Sequence, residues 1–219
     1  MGSFVSEKIW AATQENVRHA IAALRHGDVI SVPTDTLYGL AADACSRVAL
    51  ERIYEIKGRN AGSPLAVCVA DVPDLKRYAR IDHLPDALLH DLLPGPVTLV
   101  LNRGDKSELE KSLNPGLLSI GIRIPDSDFI RSVARAFDGA LALTSANTSS
   151  KPSSICVEEF EHLWPQCAAV FDAGELSAGR AGSTIVDLTA EASFKVLRAG
   201  SALQETKKCL IRHGLSERS

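Results

Sequence analysis

Three short stretches place hydroxyls, amides and cations where apolar strands should end. The first is SVPTDTLYGLAADA, residues 31–44. It begins as a buried strand, then sets Pro33, Thr34, Asp35 and Thr36 in succession, followed by Tyr38, Gly39 and a run of small residues. The second is KGRNAGSP, residues 57–64, in which one glycine separates Lys57 from Arg59. Residues two apart do not share a helix face, but in an extended loop they do. Gly58 and Pro64 favour the loop, so both cations could converge on one anion. The alternative is a solvated helix C-terminus, where cations are favoured in any case. The third stretch is LTSANTSSKPSS, residues 143–154. Its hydroxyls and Lys151 would suit phosphate or carboxylate oxygens, and would equally suit an ordinary polar turn. Two arginines end apolar strands, Arg123 in SIGIRIP and Arg198 in FKVLRAG. An arginine so placed either pairs with a carboxylate or binds an anion.

Other chemistries find no support. No G-x-x-x-x-G-K-[ST] is present, and the nearest approach, GELSAGRAGS, lacks the lysine. No G-x-G-x-x-G follows a strand, so neither a P-loop nor a dinucleotide fold is signalled. There is no G-x-S-x-G nucleophile elbow. The 6 histidines fall in predicted helices or at their ends, without metal-ligand spacing. The 5 cysteines are odd in number and form no C-x-x-C pair. That argues against a zinc site or a disulfide framework and reads instead as small buried hydrophobes in a reducing compartment.

The elements that must hold these stretches follow from periodicity. Helices are predicted over about 15–25, ending near Lys57, over 71–78, over 85–93, up to Phe137 with Asp126 or Ser127 as cap, and over 203–213. Apolar runs VISVP, PLAVCVA, VTLVL, LSIGIRIP, ALALTSA, AVFDAG, STIVDL and FKVLRAG read as strands. Helices alternate with strands for two thirds of the chain, which predicts one α/β domain with a twisted mixed sheet flanked by helices. Its expected limits are 14–213, with 1–13 as an extension. A net charge of −3 opposes a protein that coats nucleic acid, and 5% aromatic residues oppose a stacking single-strand binder. No apolar run reaches the length of a membrane span, and the opening MGSFVSEKIW lacks the apolar centre of a signal peptide.

SVPTDTLYGL, KGR followed by SPL, PGPVTLVL, GIRIP, TSAN followed by KPS, GSTIVDL and VLRAG occur in this order. Together they resemble the YrdC/Sua5 family of threonylcarbamoyl-AMP synthases, over roughly Val17 to Gly200. The resemblance implies a twisted sheet around a large, positively charged cavity. It also implies that L-threonine, bicarbonate and ATP, with Mg2+, give L-threonylcarbamoyladenylate and pyrophosphate, the first step of t6A modification of tRNA. Lys57, Arg59, Ser145 and Asn147 match the family's catalytic tetrad. Arg59, Ser63, Ser119, Ser145, Ser153 and Arg198 match ATP contacts. Thr36, Cys68, Arg123, Leu143 and Ser183 match the threonine site, although Cys68 stands where relatives often carry histidine. The resemblance further implies a link to a Kae1/TsaD-type transferase of a KEOPS complex, with tRNA an indirect partner. It implies a cytoplasmic location, with a mitochondrial share if a targeting segment precedes this chain. Two rivals differ in class: an RNA-binding module without catalysis, and a carbamoyl-transfer domain like that of hydrogenase maturation.

Overall fold

The computed structural model describes residues 8–58, 64–148, 151–177 and 179–218. Among them eleven strands form one mixed sheet. In chain order these are β1 (Ile9–Ala11), β2 (Ile30–Val32), β3 (Gly39–Asp43), β4 (Ala66–Cys68), β5 (Val97–Asn102), β6 (Ser119–Arg123), β7 (Leu141–Ser145), β8 (Ala169–Asp172), β9 (Thr184–Asp187), β10 (Ser193–Arg198) and β11 (Ser216–Glu217). The helices are α1 (Val17–Arg25), α2 (Arg47–Ile56), α3 (Leu75–Tyr78), α4 (Asp86–Leu92), α5 (Asp128–Phe137) and α6 (Leu203–Arg212), with 3-10 turns at Gln14–Asn16, Val72–Asp74 and Val157–Gln166. Strands lie side by side in the order β1-β8-β2-β3-β7-β4-β6-β5-β9-β10-β11.

Register gives the sheet two unlike faces. Gly39 lies opposite Ser145, Ala41 opposite Leu143, Leu143 opposite Ala66, and Ala66 opposite Gly121. Cys68 lies opposite Arg123 and Leu141. Side chains alternate along a strand, so all of these share one face. At one end of that face α1 and α5 lay down their apolar stripes. Val17, Leu24, Phe129, Ile130 and Val133 bury Ala41, Cys68, Leu141 and Leu143. At the other end the sheet presents Gly39, Ala66 and Ser145 to a cavity. The opposite face carries Leu40, Ala42, Val67, Leu99 and Ile122, buried beneath apolar residues of α2, α3, α4 and α6.

The predicted fold class holds, with local corrections. The small-residue run GLAAD is itself strand β3, pairing antiparallel with β2 and β7. Ala and Gly have weak strand propensity, and here buried neighbours on both sides override it. The predicted helix over 15–25 begins as a 3-10 turn before α1. Ser127 occupies the N-cap of α5 but makes no side-chain cap bond; the backbone N–H of Asp126 instead donates to Asp35. The sheet also runs past both expected limits. β1 pairs with β8, with Trp10 stacked on His19 at 3.9 Å between ring centres, and β11 pairs with β10.

Candidate active site

The cavity holds about 690 Å³ and is built almost entirely from strand ends and the turns that leave them. Gly39 can floor it because a Cβ there would come within 2.8 Å of Leu143 Cδ1 and 3.1 Å of the Thr144 carbonyl oxygen. Among the described residues its wall carries hydroxyls, amides and cations and no carboxylate.

At one end lies Lys57, the residue that closes α2. Its ammonium donates to the carbonyl oxygens of Ser145 (3.0 Å) and Asn147 (2.6 Å) and to Asn147 Oδ1 (3.2 Å). Ser145 Oγ donates to Asn147 Oδ1, and the Asn147 amide donates to the Thr148 and Lys151 carbonyls. Burial pushes the Lys57 ammonium down to about 8, because desolvation disfavours its charge. Lys57, Ser145 and Asn147 are therefore brought together in one hydrogen-bonded cluster. Arg59 and Ser63 lie outside the described residues. Ser153 joins this end, its carbonyl accepting from Arg180 at 3.0 Å.

At the other end lie two guanidinium groups. Arg123 closes β6 and donates through Nη2 to Asp35 Oδ1 (2.5 Å) and Thr36 Oγ1 (3.4 Å). Arg198 closes β10, where a register shift sets it opposite Ile185. It donates to the Ser183 carbonyl (2.8 Å) and Ser183 Oγ (3.2 Å). Burial, and then the charge of Arg123, hold Arg198 below the usual guanidinium range. Ser183 Oγ also bonds Thr98 Oγ1 at 2.8 Å. The Thr34 hydroxyl accepts from the N–H groups of Thr36 and Leu37 and donates to the Leu37 carbonyl, so the PTDT turn is locked before any ligand arrives.

The remaining sequence candidates divide. Thr36, Leu143 and Ser183 line the cavity beside Arg123. Ser119 shares the face of Arg123 but sits at the opposite end of β6, opposite Asn102, and is not brought to the cavity wall. Cys68 is fully buried in the core beneath α1 and α5. Burial pushes its thiol up to about 12, and its hydrogen bond goes to the Val69 carbonyl at 3.7 Å. It lies behind Arg123 rather than on the wall. Conversely, Tyr54, Thr98 and Arg180 line the cavity and were not singled out from sequence. Arg180 carried a signal, a lone cation in the glycine-rich GELSAGRAGS.

A second cleft of about 550 Å³ lies by Gln14, Arg131 and Arg135. Both arginines there pair with Asp71, at 3.0 and 2.8 Å.

Fold and site together define an α/β protein whose mixed sheet carries a polar cavity lined by lysine, arginine and hydroxyl side chains. The model of the Sua5, YciO and YrdC proteins, described as telomere recombination, matches residues 22–200. The chain belongs to that family. It is 50% identical over 205 residues to the threonylcarbamoyl-AMP synthase of Homo sapiens, spanning 91% of this chain and 72% of that protein. Its structure is similar to that of P. abyssi Sua5 complexed with L-threonine, with a TM-score of 0.84 at 29% identity over 95% of this chain and 61% of that one. It is also similar to E. coli YciO, with a TM-score of 0.76 at 25% identity over 86% and 90% of the two chains.

Proposed function

We infer that this chain is a threonylcarbamoyl-AMP synthase, converting L-threonine, bicarbonate and ATP to L-threonylcarbamoyladenylate, pyrophosphate and water. The observation that carries this reading is one cavity with a cation at each end and no carboxylate on its described wall. The Lys57–Ser145–Asn147 cluster stands at one end and the Arg123–Arg198 pair at the other. Such a wall suits two anionic reactants held face to face.

Arg123 would take the threonine carboxylate, since a guanidinium offers matched donors. Thr36 and Ser183 would hold the threonine hydroxyl and amine. The amine combines with bicarbonate to give a carbamate, releasing water. A carbamate oxygen then attacks the α-phosphorus of ATP as the bond to pyrophosphate breaks. No protein nucleophile is needed. Catalysis is positioning and charge stabilisation, with Lys57 and Arg59 set against the developing charge and Ser145 and Ser153 holding the nucleotide. Mg2+ would enter with ATP as part of that substrate. The described wall offers the ion no carboxylate.

The product is an activated mixed anhydride, and a transferase must take it before water does. A Kae1/TsaD-type transferase of a KEOPS complex fits that place, with tRNA the final acceptor and the cytoplasm the compartment.

The test is pyrophosphate release with ATP, Mg2+ and bicarbonate, with and without L-threonine, and with serine as control. Release that requires both threonine and bicarbonate is expected. Absence of threonine-dependent release from folded protein would overturn the reading and make RNA binding the next assay.

A further inference from the structure

Asp35 lies between Thr34 and Thr36, both on the cavity wall, but is itself set behind it. Its side chain and that of Arg123 are each more than nine-tenths buried. Oδ1 accepts from Arg123 Nη2 at 2.5 Å, and Oδ2 accepts from the Asp126 N–H at 3.0 Å. The carboxylate is thus held at both oxygens and cannot turn without breaking one bond. Arg123 spends both of its hydrogen bonds through Nη2, while its Nε is buried without a partner. A guanidinium has five donors in a fixed fork. Here one corner is fastened to Asp35 and Thr36, Nε is closed off in the interior, and the rest of the fork borders the cavity.

Charge bears on the same point. Arg123 and Arg198 are close enough that one depresses the other. Asp35 cancels one of the two charges, leaving this end of the cavity with one net positive charge. That balance matches a single carboxylate. Without Asp35 the same end would carry two uncompensated cations, Arg123 buried and Arg198 exposed, and would favour an anion of higher charge. Threonine, neutral overall as a zwitterion, would gain nothing from the extra charge and would meet a guanidinium no longer held in place.

We propose that Asp35 is a positioning and specificity residue: it fixes Arg123 so that the part of the guanidinium bordering the cavity is presented to the amino-acid carboxylate, and it sets the local charge so that a monocarboxylate is preferred over a polyanion such as pyrophosphate. Asp35 need not touch the substrate. The inference rests on the synthase reading of the cavity.

The experiment compares wild type with Asp35→Asn, which keeps size and removes charge. The expected result is a threonine KM raised about tenfold, an ATP KM within twofold of wild type, and inorganic pyrophosphate turned into a stronger inhibitor competitive with threonine. A structural role alone would not create that change in inhibition. Asp35→Glu should restore weak pyrophosphate inhibition. If Asp35→Asn does not fold, the wild-type enzyme decides by NMR. Threonine should shift the Arg123 guanidinium N–H resonances and leave the Asp35 carboxyl carbon in place. An Asp35 signal that moves as though displaced, or an Asp35→Asn enzyme with unchanged threonine KM and pyrophosphate inhibition, would overturn the inference while leaving the synthase reading intact. Wild-type protein that binds no threonine would overturn both.

Discussion

The ammonium of Lys57 lies 2.6 Å from the carbonyl oxygen of Asn147, a residue 90 positions further along the chain. This contact fastens the end of α2 to the exit of β7 and sets a charged donor beside Ser145 Oγ. It reaches three oxygens, two of them backbone, so the group acts both as tie and as charge.

Turnover should therefore fall as pH rises through about 8, where the buried Lys57 loses its proton. The sign for stability is opposite. A lysine with a lowered folded-state value binds fewer protons than the unfolded chain between about 8 and its ordinary value of 10.5. Its contribution to stability rises with pH across that window. A pH–rate profile of kcat/KM checks the first statement, and Lys57→Arg should flatten the alkaline limb. Lys57→Ala should cost about 2.7–4 kcal/mol of transition-state stabilisation, by analogy with an oxyanion-hole donor. Near-normal turnover of that variant would exclude the role.

Gly200→Ala should destabilise the protein. A Cβ at Gly200 would fall 2.3 Å from the Ser183 carbonyl carbon and the Thr184 nitrogen, backbone atoms that cannot yield cheaply. Overpacking of this kind costs about 1–3 kcal/mol, readable as a lower urea midpoint. Because Ser183 bonds both Thr98 and Arg198, the surviving folded fraction should also show a raised threonine KM.

Thr184→Val should do the reverse. Thr184 is fully buried and its Oγ1 has no partner. Replacing an unpaired buried hydroxyl by a methyl removes a desolvation penalty of about 1–3 kcal/mol. The side chain points to the face away from the cavity, so a higher melting temperature with unchanged turnover is expected.

Arg180→Ala separates binding from stability. Arg180 is half exposed and pairs with Glu159, which it holds down to about 2. An exposed pair contributes about 0–1 kcal/mol to stability, so the melting temperature should barely move. The cavity would lose a cation from its wall, and the ATP KM should rise. An ATP KM equal to wild type would remove Arg180 from the nucleotide site.

What could be seen in the sequence followed from local pattern. The strands β4 to β7 and helices α1, α4 and α5 announced themselves through uninterrupted apolar runs and helical spacing, and the polar strand ends marked the cavity. β3 did not, because GLAAD looks weak as a strand until β2 and β7 close on both sides of it. The partner of Arg123 was also hidden. Asp35 is 88 residues away, and nothing local tells whether an arginine ending a strand will meet a carboxylate or a ligand. Here it meets one and keeps a donor free. Cys68 shows the same limit, since alternation puts it on the face of Arg123 but only α1 and α5 decide that this part of the face is closed.

The floor of the cavity has a cost that reaches beyond chemistry. Central strands normally carry branched side chains on both faces, yet Gly39 and Ala66 leave the middle of this sheet thin on one side. Each absent methylene forgoes about 0.8 kcal/mol of burial. Ligands that bind only the folded chain make up such a deficit by mass action, about 2.7 kcal/mol at a hundredfold excess over Kd. The thermal endurance of this protein is thereby tied to the supply of its own substrates, and a starved cell would hold a softer, shorter-lived enzyme than a fed one.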